Sequence, residues 1–78
     1  MEYDTLYNIL LMAEMRKIYK VFDANGEILF YGTPGILQDM LSVNFLLLEV
    51  EEVIDNNKII LKNKIILWIE KNVKLLRD

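Results

Sequence analysis

Four carboxylates crowd into the stretch EVEEVID: Glu49, Glu51, Glu52 and Asp55. Clustered acids have two uses. They hold a hard cation through oxygen ligands, or they present a negative surface to a basic partner. A cation loop sets its oxygens around glycine turns, whereas this stretch reads as regular structure, so it is a solvated acidic face or a partner-facing patch before it is a metal site. DANGE, at residues 23–27, begins like a calcium loop but lacks the rest of the ligand series, and it reads as a turn. We expect no metal and no cofactor.

Catalytic groups are scarce. The chain has one serine (Ser42), two threonines (Thr5 and Thr33), no histidine and no cysteine. A nucleophile with its base would have to pair Ser or Thr with Lys, and no spacing brings such a pair together. The proton shuttle that serves most enzymes near neutral pH is missing. Without cysteine there is no disulfide framework and no thiolate zinc site. The expected function is non-enzymatic.

The basic residues lie at the other end. Met1 to Asn57 carries ten acids and three bases, a charge of −7, while Lys58 to Asp78 carries six bases and two acids, a charge of +4. That layout orients a charged partner. Lys58, Lys62, Lys64, Lys71, Lys74 and Arg77 are the residues that would meet a nucleic acid if one were bound. Trp68, the single tryptophan, suits a core position or an interface anchor.

Seventy-eight residues make one small domain, and 54% of them are hydrophobic. That is more than one core of this size needs, and surplus apolar surface points to a partner or to a homodimer. The apolar runs FLLL and IILWI fall far short of the ~20 residues that cross a bilayer. No basic residue precedes Arg16, unlike a signal peptide, so a cytoplasmic location and no membrane contact are expected.

The elements follow from periodicity. Tyr3, Leu6, Tyr7, Leu10 and Ala13 recur at helical spacing, with Asp4 or Thr5 as the cap. Residues 1–14 also read as an accessory helix, since Met15 precedes a natural start. Ile18–Phe22 and Ile28–Tyr31, joined by Asp23-Ala24-Asn25-Gly26, predict a β-hairpin. Thr33 before Pro34 predicts a helix from Pro34 to about Leu41. In SVNFLLLEVEEVIDNN, Val43, Leu46, Leu47, Val50, Val53 and Ile54 form a helical stripe, which favours a helix. A strand turning at DNNK is the alternative. Ile59–Lys62 reads as a short strand. From Ile65 onward a helix through Trp68, Ile69, Val73 and Leu76 competes with a continuous strand. The predicted class is α+β: an N-terminal helix, a β-hairpin, two short helices, and a C-terminal strand or helix.

The stretch YKVFDANGEILFYGTPGILQDMLSVN resembles small phage and prophage proteins of low-GC bacteria. Those run as a hairpin, a Gly-Thr step, a helix, a three-residue turn and a second helix. Gly32-Thr33 matches the step, Ile36 to Leu41 the first helix, and Ser42-Val43-Asn44 the turn, with the second helix beginning at Phe45. The likeness covers residues 17–61 and implies a helix-turn-helix-like layout. Isoleucine, lysine and asparagine make up 24 of the residues, as AT-rich codons would give. The departure lies in the second helix. FLLLEVEEVID has four acids and no base, and its sign is wrong for a phosphate backbone.

Three expectations follow. The first is a phage or mobile-element inhibitor that occupies a basic site on a host protein, such as a defence nuclease of the CRISPR kind. Glu49, Glu51, Glu52 and Asp55 would form its contact patch, in the general manner of anti-CRISPR proteins. The second is a DNA-binding regulator that uses the lysine-rich end. The third is a homo-oligomerisation unit.

Overall fold

The computed structural model describes residues 5–55 and 57–70. Three short helices lie on one face of a five-stranded antiparallel sheet, which establishes the α+β class. The helices are α1 (Leu6–Leu11), α2 (Pro34–Met40) and α3 (Val43–Leu46); the strands are β1 (Tyr19–Phe22), β2 (Ile28–Gly32), β3 (Val50–Asp55), β4 (Lys58–Leu61) and β5 (Ile66–Ile69). The order across the sheet is β2-β1-β5-β4-β3. The last strand among the described residues, β5, therefore sits at the centre and joins the β1–β2 hairpin to the β3–β4 hairpin.

Each helix starts on a hydroxyl cap. Thr5 accepts from the Asn8 N–H, Thr33 from Ile36 and Ser42 from Phe45, which satisfies donors that the first turn leaves unpaired. Pro34 takes the first helical position of α2, as its fixed φ favours. In the β1–β2 loop, the Asp23 carboxylate accepts from the N–H of Asn25 and of Glu27, and Gly26 supplies the positive φ of 85°. The expected hairpin and the expected α2 are both present.

One cluster of side chains fills the space between the layers. Leu6, Ile9 and Leu10 of α1 and Leu37 and Leu41 of the α2 region pack against Tyr19, Val21, Ile59, Leu61, Leu67 and Ile69 of the sheet. Leu6, Ile9 and Leu10 thus place one face of α1 in the core. Leu6 and Leu10 are fully buried, and the Leu6 N–H donates to Leu48 at 2.9 Å.

The segment after Ser42 departs from the favoured reading. The helix lasts one turn and ends at Leu46; residues 50–55 form an edge strand. The expected turn Ser42-Val43-Asn44 is absent as well, because Ser42 caps a helix that starts at Val43. The cause of the misreading lies in two β-bulges. Val50 pairs with Leu61, Glu52 with Ile60, Val53 with Ile59 and Asp55 with Lys58, so the register shifts at Glu51 and again at Ile54. Each bulge inserts a residue, so Val50 and Val53 reach the helix-bearing face at a spacing of three. A bulged strand imitates helical periodicity.

Residues 66–69 form a strand, not the competing helix, with Leu67 and Ile69 facing the core and Trp68 on the opposite face. Val73 and Leu76 lie outside the described residues. Between β4 and β5, residues 62–65 reverse the chain with Asn63 at φ 64° and Lys64 at φ 61°. Two consecutive left-handed residues are the signature of a type I′ hairpin turn.

Candidate functional site

Three surfaces differ sharply in chemistry. The first is the acidic edge. Glu51, Glu52 and Asp55 belong to β3, and Glu49 precedes it. All four are exposed. They are carried on an edge strand, not on a helix as expected. Glu51 makes a 3.5 Å ion pair with Lys62 across the strand end. Both partners are half-exposed, so the pair adds at most about 1 kcal/mol. The edge starts beside the helix layer, since Glu49 bridges to Thr5. Among the described residues, no group of three or more acids converges as a metal would require.

The second surface is the outer side of the helix layer. Across α1, α2 and α3 the only charged residue is Asp39. Yet each helix exposes an apolar pair four residues apart: Tyr7 with Leu11, Ile36 with Met40, and Val43 with Leu47, the α3 C-cap. Residues so spaced share one helix face. Val43 is 66% exposed and Leu47 56%. A helix needs one apolar stripe to pack on a sheet; these helices carry a second stripe that meets solvent. The α1–α2 contact is fixed by Gln38, whose Nε2 donates to the Leu10 carbonyl at 3.3 Å. The signal was present in the sequence as the extra apolar residues Leu11 and Met12, which widen the α1 stripe beyond one face.

The third surface is the outer face of the sheet. Strand pairing aligns Tyr31, Lys20, Trp68, Lys58 and Asp55 in one row across five strands. A second row holds Ile28, Phe22, Ile66, Ile60 and Glu52. The Lys20 ammonium lies 5.2 Å from the centre of the Trp68 ring, a cation–π contact. Lys62 and Lys64 are exposed on the β4–β5 turn, and Lys58 is exposed on β4. Lys71, Lys74 and Arg77 lie outside the described residues. The structure thus sets the β3 acids beside the lysines: Asp55 pairs with Lys58 across the β3–β4 ladder, and Glu51 meets Lys62.

A pocket of about 200 Å³ lies where α1 ends, between Ile9, Met12, Tyr19, Val53 and Ile69. Glu14, Lys17 and Asp55 also line it, so its wall is mixed in polarity.

No protein-family model, curated protein or solved structure matches the chain. Among the described residues, no helix is long and apolar enough to cross a membrane.

Proposed function

We propose that the protein is a non-enzymatic protein-binding module that docks its helix layer on an apolar surface bordered by basic residues. The observation that carries this reading is the second apolar stripe, six exposed large side chains on helices that bear one charge. Apolar surface of this extent on helices usually meets another protein. The acidic edge beside it supplies the sign of the partner. Glu49 adjoins Thr5 at the start of α1, so carboxylates border the apolar layer and match a basic rim. Met40, together with Met12 and Met15 after α1, adds side chains that adapt to a partner's contour. By size and charge, the reading extends to an inhibitor from a phage or mobile element that works in a bacterial cytoplasm. Its target would be a host protein with a nucleic-acid-binding groove, such as a CRISPR-type defence nuclease.

The test uses variants that keep the core. Val43→Glu with Leu47→Glu should abolish retention of a host partner on the immobilised protein and leave the thermal transition unchanged. Changing Glu49, Glu51, Glu52 and Asp55 to their amides should weaken retention and flatten its salt dependence. Retention unaffected by the two helix substitutions overturns the docking surface. The same layer supports a second reading, a homodimer, and sedimentation equilibrium separates them: mass doubling lost in Val43→Glu/Leu47→Glu identifies the partner as a second copy.

A further inference from the structure

We infer that the outer face of the sheet binds single-stranded nucleic acid, by stacking bases on Trp68, Tyr31 and Phe22 and meeting phosphates with Lys20 and Lys58. The argument begins with which side chains share that face. Lys20 and Phe22 of β1, Ile28 and Tyr31 of β2, Lys58 and Ile60 of β4, and Ile66 and Trp68 of β5 alternate with residues buried against the helices, so all point away from them. Among the described residues, no helix lies over these positions. Three of the chain's eight aromatic residues are gathered here on three adjacent strands. A sheet face built for solvent would carry polar residues at these places.

The cations of this face flank its tryptophan: Lys20 on β1 and Lys58 on β4 stand to either side of Trp68. Acids outnumber bases in the chain, twelve to nine, yet the outward positions of β2, β1, β5 and β4 hold two lysines and no carboxylate. The face has two acids of its own, both on its outermost strand: Asp55 ends the first row beside Lys58, and Glu52 ends the second beside Ile60. Glu52 and Asp55 stand on the β3 edge, and the Glu70 carboxylate accepts from the Ile18 N–H at 3.2 Å. Within one row the order is Tyr31, Lys20, Trp68, Lys58: aromatic and cation alternate strand by strand. Single-stranded chains are held in this way, by aromatic platforms that accept any base and by cations that follow the backbone. Duplex DNA offers no unstacked base to such a face, and α3, at one turn, gives no helix to enter a major groove. The Lys20 ammonium now covers the Trp68 ring. A base stacking there displaces it sideways, to where the phosphate of that nucleotide would lie.

The sole tryptophan stands in the middle of this face, so its emission reports on the face alone. The experiment titrates the full chain at low salt with oligothymidylate of about eight nucleotides, within the span of one small binding domain. The expected result is saturable quenching of Trp68 that weakens as salt is added. Inorganic polyphosphate, which offers charge without bases, should leave the emission unchanged, and the matching duplex should do the same. Tyr31 is 65% exposed, so Tyr31→Ala removes a stacking platform without opening the core; it should weaken binding about tenfold. Lys20→Gln with Lys58→Gln should weaken it further and lower the salt slope. No saturable quenching, equal quenching by polyphosphate or duplex, or an unchanged affinity in Tyr31→Ala would each overturn the inference.

Discussion

Lys64 occupies a left-handed conformation at φ 61° that costs an ordinary residue about 1 kcal/mol or more, and its neighbour Asn63 occupies the same region at φ 64°. Asparagine tolerates that region, whereas lysine gains nothing local from it. Lys64→Gly would complete an Asn-Gly type I′ turn and should raise stability by about 1 kcal/mol, read as a higher melting temperature by circular dichroism. A lower melting temperature would show that the Lys64 side chain has a role that its backbone conformation does not reveal. Gly32 is the opposite case. Its φ is 154°, and a Cβ built there would stand 3.0 Å from Cγ2 of Ile36. The Gly-Thr step therefore has a steric reason: the chain leaves β2 and enters α2 so tightly that the first turn of the helix lies on the glycine. Gly32→Ala should cost about 1–3 kcal/mol, measured by urea denaturation.

At the scale of elements, legibility in the sequence followed how local the deciding interaction was. The β1–β2 hairpin and α2 were readable because their signals are contiguous: Asn25-Gly26 turns the chain, and Thr33-Pro34 starts the helix. β3 and β5 were not, because their deciding partners are distant in sequence. β5 pairs with β1, more than forty positions earlier, and no periodicity within ILWI announces that. β3 carried a misleading period, since the bulges at Glu51 and Ile54 set Val50 and Val53 three apart. The acidic residues were legible as a cluster, but their placement on an edge was not. That placement gives them a second task. An exposed edge strand is a template for pairing with another chain, and bulges and charges prevent it. Val53 and Ile54 are exposed on this edge, so carboxylates are what keep it from pairing. Glu51→Val with Glu52→Thr should produce concentration-dependent association with added β-signal, followed by light scattering and infrared absorption. If the double variant stays monomeric, the bulges alone protect the edge and the acids are free to serve a partner.

For the molecule as a whole, the sheet acts as a divider. Its inner face is consumed by the core with α1, α2 and α3, and the two surfaces proposed for binding lie on opposite sides of it. The helix layer, with Asp39 as its one charge, suits a protein; the aromatic and lysine face suits a single strand. Both expose apolar or aromatic side chains that the buried cluster does not take up. Sites with no shared residues contribute independently to binding unless a conformational change links them. The layers here are tied by the fully buried Val21, Leu67, Leu6 and Leu10, and close packing of that kind leaves little room for a second arrangement. The two activities should therefore separate cleanly. Val43→Glu/Leu47→Glu should lose the protein partner and keep oligothymidylate quenching of Trp68 at wild-type affinity, while Tyr31→Ala should do the reverse. Titrating each variant with both ligands gives the four affinities of a cycle. A coupling beyond about 0.5 kcal/mol would mean that the faces communicate through the sheet, and would make the strand ligand a regulator of the protein contact.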